Sequence, residues 1–511
     1  MRTCGILMPV SSLDGPFGAG TLGREAYAFV DFLSRAGQGV WQILPLGPTG
    51  SGDSPYQSCS AFAGNPWLID PELLVQEGLL EEADLGPVRA PNTGRADYRL
   101  LERTRLPLLR RAYENFLAAR PLPGCDTPYS DEYYRFLFLN QDWLEEYALY
   151  RAAQKENDAK PWNEWPLPLR LRQPQALEEL KERQAGEIGF WKFVEYLFWK
   201  QWKALRDYAA SKGVRILGDM PIYVSMDSAD TWAGGPLFQT DGQGHPTRVA
   251  GCPPDYFSED GQLWGNPLYD WDYHRSTGYD WWIRRIRHAL DLYDLVRIDH
   301  FRAFDTYWSI PADAATAREG RWEQGPGMDF FEVLGKKLGP LPLVAEDLGE
   351  MFDSVRRLLA QTGLPGMKVL QFAFSSGPTN EYLPHNHIPN CLVYTGTHDN
   401  NTLLGWMEQE AGEEELRFAM RYLRPGKREE LPQAILRAAL ASCADTCILP
   451  LADWLGLGCE GRINTPGVVG GNWNWRVRPG RLEDSLACLI RVQCELYGRC
   501  ERQADLSSSP D

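Results

Sequence analysis

Three carboxylates in this 511-residue sequence each follow directly on a short apolar run. They are Asp299 in DLVRIDHF (294–301), Glu346 in PLVAEDL (342–348) and Asp399 in YTGTHDNNT (394–402). The two-residue period of a strand puts Leu295, Arg297 and Asp299 on one face and Val296 and Ile298 on the other. Arg297 and Asp299 therefore share one end of that strand, and a guanidinium beside Asp299 favours the ionised form that an attacking carboxylate needs. Glu346 follows Val344 at the same period. His398, Asn400 and Asn401 flank Asp399 and offer donors and acceptors to adjacent hydroxyls. Plainer readings stand beside these: an Arg and an Asp two apart can be an ion pair alone, and Glu346–Asp347 can cap a helix. Three such strand ends together weigh against them, because clustered carboxylates cost stability.

Carboxylate clusters support two main chemistries. Metal-assisted hydrolysis would recruit histidine, but the seven histidines are read as showing neither HxH nor HExxH spacing, and no metal is expected. Glycosyl transfer fits better. One carboxylic acid protonates the leaving oxygen, a second carboxylate attacks the anomeric carbon, and water or another sugar releases the intermediate. Phosphate or dinucleotide chemistry lacks a motif, since neither GxxxxGK[ST] nor a strand-linked GxGxxG is read.

Such carboxylates have to be held by strands. Apolar or β-branched runs recur at 4–10, 39–46, 214–222, 294–301, 342–348, 366–374, 391–397 and 446–453, each closed by Gly, Pro, Asp or Asn and followed by a helix-like stretch. Eight continuous apolar runs alternating with helices predict an α/β fold, a closed (β/α)₈ barrel, whose active groups gather at the carboxyl ends of its strands. The barrel is expected over 1–50 and 206–500. Residues 51–205, with helical periodicity in stretches such as 131–154, predict a mainly helical insertion. Residues 223–275 are rich in Gly, Pro, Asp and aromatics and predict loops over the site, and 501–511 predicts a frayed tail.

Composition narrows the partners. With 52 basic and 69 acidic residues the net charge is −17, and the basic residues are scattered, which disfavours nucleic acid and anionic membranes. No apolar run approaches the ~18 residues of a membrane span, and no export leader is read at the start. Eleven cysteines, an odd number spread from Cys4 to Cys500, suit reduced thiols in a cytoplasmic protein; Cys443, Cys447 and Cys459 are expected to be buried. The 19 Trp, 22 Tyr and 20 Phe supply faces that stack on sugar rings.

Longer runs carry a resemblance. GILMPVSSLDGPFGAGTLG, WQILPLGPTGSGDSPYQSCSAFAGNP, GDMPIYVSMDSADTW, GCPPDYFSEDGQLWGNPLYDW, VRIDHFRAF, VAEDLG, GMKVLQFAF, YTGTHDNNT and RINTPGVVGGNWNWR span nearly the whole chain. Together they resemble the amylomaltases, disproportionating 4-α-glucanotransferases of glycoside hydrolase family 77 in the α-amylase superfamily. The resemblance implies Asp299 as nucleophile, Glu346 as general acid/base and Asp399 as transition-state stabiliser, with Arg297 and His398 holding the sugar. It further implies substrate contacts at Asp219, Tyr56, Trp264, Asn266 and Asn464, and a lid carrying Tyr256 and Phe257 over the acceptor side. The implied partners are maltooligosaccharides, amylose or starch as donors and glucose or a glucan as acceptor, with no cofactor. Calcium occurs in related amylases, but no acidic loop of calcium-binding type is read here, only scattered Asp. Two positions depart from the pattern: Ser51 stands where many relatives have an aromatic residue, and Cys252 where a small apolar residue is expected. An α-glucan hydrolase and a non-catalytic glucan-binding barrel are the alternatives.

Overall fold

The computed structural model describes residues 2–119, 128–254, 259–468 and 470–500. Tyr256, Phe257 and the segment 501–511, read above as lid and tail, lie outside the described residues. The described residues form strands β1 (Thr3–Leu7), β2 (Val40–Gln42), β3 (Arg215–Met220), β4 (Arg248–Cys252), β5 (Gln262–Pro267), β6 (Leu295–Ile298), β7 (Thr306–Pro311), β8 (Arg321–Gln324), β9 (Leu343–Ala345), β10 (Gly366–Val369), β11 (Cys391–Tyr394) and β12 (Thr446–Pro450).

Eight of these pair in parallel in the order β10-β11-β12-β1-β2-β3-β6-β9; seven lie inside one of the eight apolar runs and β1 begins one residue before the first of them. Ala345 N–H donates to the Pro365 carbonyl at 2.9 Å, joining β9 to the start of β10 and closing the (β/α)₈ barrel. Every residue of β2, β9 and β11 is buried, as expected of strands covered on both faces. The surrounding helices turn one apolar stripe inward: Arg24–Arg35 buries Ala26, Phe29, Val30, Phe32 and Leu33, near the 3.6-residue period.

The run Gly18-Ala-Gly-Thr-Leu-Gly ahead of that helix spells GxGxxG. Its glycines serve packing. A Cβ on Gly20 would stand 2.0 Å from the Val10 carbonyl, and one on Gly23 would stand 2.0 Å from the Asp70 carboxylate. Asp70 accepts from Thr21 Oγ1 at 2.6 Å and from the Leu73 amide at 3.1 Å, so this carboxylate locks the turn.

Between β2 and β3 run the helices Tyr98–Ala118, Gln141–Glu156 and Ala185–Ser211, among shorter ones. The last buries Phe190, Phe193, Val194, Leu197, Trp202 and Leu205. It also pins the segment leading away from the barrel mouth: Glu195 Oε2 accepts from the Gly64 amide at 2.8 Å, and the Gln201 side chain bonds both the N–H (2.7 Å) and the C=O (3.1 Å) of Asp70.

The stretch 223–275 departs from the loop reading, because β4 and β5 within it join β7 and β8 in an antiparallel sheet of order β5-β4-β7-β8. Alternation is obscured in the sequence by a register shift between Val249 and Gly251. Gly251 itself is required by close approach, since a Cβ there would stand 2.1 Å from the Gln262 carbonyl.

Among the described residues ten cysteines are free thiols: Cys447 is buried and Cys459 half-buried, but Cys443 is exposed, unlike the expectation for that group. Cys443 follows the barrel helix Leu431–Ala441 in the turn before β12, where its side chain reaches solvent. No helix among the described residues is long and apolar enough to cross a membrane.

Burial pushes His274 and His288 down to about 4. His274 packs among Tyr269 and Trp271 at ring separations of 5.4 and 5.5 Å. Unfolded histidine titrates near ~6.5, so unfolding takes up protons between that pH and about 4. The stability each contributes is complete above pH ~6.5 and lost as the pH falls, by up to about 1.4 kcal/mol per pH unit per histidine. Urea titrations of His274→Phe should therefore show a shallower loss of stability from pH 6.5 to 4 than the parent; identical slopes would contradict this.

Candidate active site

The carboxyl ends of neighbouring strands β3 and β6 bring Asp219 opposite Arg297, which are register partners, and Arg297 is in turn the partner of Val344 on β9. Arg297 Nη1 donates to both Asp219 oxygens at 2.8 and 2.7 Å and to Asp299 Oδ1 at 3.0 Å. The Tyr56 hydroxyl donates to Asp219 Oδ2 at 2.8 Å. Asp219 and Arg297 are fully buried, whereas Asp299 keeps 28% of its side-chain exposure. The buried pair satisfies itself, and Asp299 is the carboxylate turned toward the cleft.

Glu346 follows β9 at the adjacent strand end. The His300 amide donates to its Oε2 at 2.5 Å and the Leu348 amide to its Oε1 at 3.2 Å. Asp399 follows β11 and accepts from Asn464 Nδ2 at 2.6 Å, while His398 Nε2 lies 3.4 Å from the same oxygen. The Asn464 amide donates to the His398 carbonyl at 3.1 Å, so the two segments hold each other. The His398 ring stacks on Tyr56 at 5.2 Å and 16°, and its buried Nδ1 has no hydrogen-bond partner.

Burial pushes Asp299 up to about 6, against the pull of Arg297 and with Asp219 and Asp399 pushing the same way as burial. The guanidinium thus favours ionisation, as its spacing implies, without setting the net value. Partial exposure of Asp299 moderates the burial effect. Glu346 is pushed further, to about 8, by burial; Arg297 pulls it down and Asp299 pushes it up. Two carboxyl groups at adjacent strand ends are thereby separated into one that favours the ionised and one that favours the protonated form near neutrality, an arrangement capable of acid–base chemistry.

The other residues named from the sequence fall into place unevenly. Trp264 is half-exposed on β5 and stands edge-on to the His300 ring at 5.0 Å and 86°. Asn266 is buried, donating to the Val224 carbonyl at 2.8 Å and accepting from Gln57 at 3.5 Å. Trp473 was not singled out from the sequence. Its ring lies 5.6 Å from Tyr56 and 6.0 Å from His398, at a residue whose φ is 61°. The signal was an aromatic embedded in the Gly- and Asn-rich run GGNWNW.

Contrary to the histidine spacing read above, the chain does contain one His-x-His pair, His385 and His387. Its ring nitrogens bond the Tyr422 hydroxyl (2.8 Å), the Pro378 carbonyl (3.0 Å), Ser442 Oγ (2.7 Å) and the Tyr382 carbonyl (2.9 Å). Among the described residues no group of three or more His, Cys, Asp or Glu side chains is placed to hold a metal ion.

The model of the 4-alpha-glucanotransferase family matches residues 8–482. The chain is 46% identical over 505 residues to the 4-alpha-glucanotransferase of Thermus thermophilus, covering 98% of this chain and 99% of that one. It is 42% identical over 496 residues to the Clostridium butyricum 4-alpha-glucanotransferase, covering 97% and 100%. Among solved structures, the amylomaltase from Streptococcus agalactiae in complex with acarbose superimposes with a TM-score of 0.94 at 40% identity, over 98% of this chain and 100% of the other. An eight-stranded parallel barrel, carboxylates converging on its mouth and kinship of this extent over nearly every residue together place the chain in the 4-alpha-glucanotransferase family, the amylomaltases.

Proposed function

We propose that the site moves an α-1,4-linked glucan segment from a maltooligosaccharide, amylose or starch to the 4-hydroxyl of glucose or another glucan, by double displacement with retention. The observation that carries this reading is the pairing of Asp299 and Glu346 at adjacent strand ends, with Glu346 holding its proton to a higher pH. In the first step Asp299 attacks the anomeric carbon as Glu346 gives its proton to the departing glycosidic oxygen, leaving a glycosyl ester on Asp299. In the second, Glu346 takes the proton of the acceptor hydroxyl, whose oxygen displaces Asp299 with a second inversion. Asp399, fixed by Asn464 and flanked by His398, receives hydroxyls of the sugar being transferred. The reading needs no cofactor and sets the reaction in the cytoplasm.

Hydrolysis shares the same intermediate, and water stands at ~55 M, so the acceptor must be oriented well enough to win. Incubation with maltotriose separates the possibilities. Transfer yields glucose and a ladder of longer maltooligosaccharides. Shortening alone means a hydrolase, and an unchanged substrate means a binding protein.

A further inference from the structure

His300, directly after Asp299, holds φ 54° and ψ 47°, a left-handed conformation uncommon for residues other than glycine. That turn has a definite consequence. It aims the His300 amide back across the barrel mouth at Glu346 Oε2, 2.5 Å away. The two strand ends are tied on either side of it, by Phe301 N–H on the Glu346 carbonyl (3.2 Å) and Glu346 N–H on the Ile298 carbonyl (3.1 Å). The imidazole points elsewhere, edge-on to Trp264 on β5. Burial and the neighbouring Arg302 hold it neutral, with a value lowered to about 3, so the ring adds no charge beside Glu346.

Resting on the reading of Glu346 as acid/base, we propose that His300 is its positioning residue: the left-handed backbone supplies the amide that fixes the carboxyl, and Trp264 braces the turn through the ring. Backbone strain at active sites persists where the surroundings enforce it, and here the enforcing contact is an aromatic from the antiparallel sheet. The other groups facing Glu346 are Arg297 and Asp299 from β6 and its end, Asp347 on its own segment, and Tyr382, whose hydroxyl feels the Glu346 charge. None of them supplies a backbone donor to Oε2. The amide favours the ionised carboxylate, so its loss should raise the titration of Glu346.

The test compares His300→Asn, which tolerates the left-handed region, with His300→Val, whose β-branch opposes it. Each is assayed on maltotriose, which needs a proton on its leaving oxygen, and on α-maltosyl fluoride, which does not. We expect His300→Asn to keep kcat on maltotriose within a few-fold of the parent. For His300→Val we expect a fall of ~10- to ~100-fold on maltotriose, a smaller fall in the initial fluoride release and an upward shift of the basic pH limb. Where His300→Val fails to fold, Trp264→Ala carries the same expectations in weaker form. Equal losses on both substrates, an unmoved basic limb, or a His300→Asn defect as large as that of His300→Val would overturn the proposal. Failure of the underlying reading has a different signature: Glu346→Gln would then lose maltotriose and fluoride cleavage alike.

Discussion

Replacing Asp299 by asparagine is expected to lower glucan transfer by ~10⁴-fold or more while leaving the fold intact. The two side chains are nearly isosteric, and an asparagine oxygen can still accept from Arg297 Nη1, now 3.0 Å from Asp299 Oδ1. Arg297 keeps both Asp219 contacts, so no buried charge is orphaned and the thermal midpoint should move by only a few degrees. What the proposed mechanism loses is its nucleophile, since a neutral amide forms no glycosyl ester of comparable reactivity. Turnover of maltotriose by a homogeneous Asp299→Asn preparation, measured beside its melting curve, checks this. Substantial residual transfer would remove Asp299 from its role.

Glu346→Gln should cost ~10²- to ~10⁴-fold on maltotriose, because the leaving oxygen then departs without its proton. The parent enzyme should show a kcat/KM profile with limbs near about 6 and about 8, ionised Asp299 setting the first and protonated Glu346 the second. With α-maltosyl fluoride the variant should still release fluoride rapidly, about one per site. It should then slow, since the missing base is needed to activate the acceptor. The rise near pH 6 should persist in that burst and the fall near pH 8 should vanish. A variant equally impaired on both substrates would mean that Glu346 does not act as the acid.

Much of the scaffold was legible because parallel strands buried on both faces read as unbroken apolar runs, as PLVAEDL and CLVYTGT do. The antiparallel sheet was not, because Gly251, its bulge and the surrounding Pro and Asp erase the alternation that marks such strands. At the site, periodicity within one strand joined Arg297 to Asp299. The stronger partner of Arg297 is Asp219, 78 residues earlier, and only the register of β3 on β6 brings it there. Burial, which outweighs the guanidinium at Asp299, is a property of the folded environment and has no signature in a local window. The same holds for His300, whose left-handed backbone angles have no signature in the residues around it.

The claim on which the rest depends is that a sugar becomes bonded to Asp299. Glu346→Gln mixed with α-maltosyl fluoride, quenched in acid within the burst and digested, should yield a peptide containing LVRIDHF that is heavier by a maltosyl group, with fragmentation placing the added mass on Asp299. Release of fluoride while that peptide keeps its unmodified mass, or a maltosyl group on Asp399 or another residue, would contradict a covalent bond to Asp299.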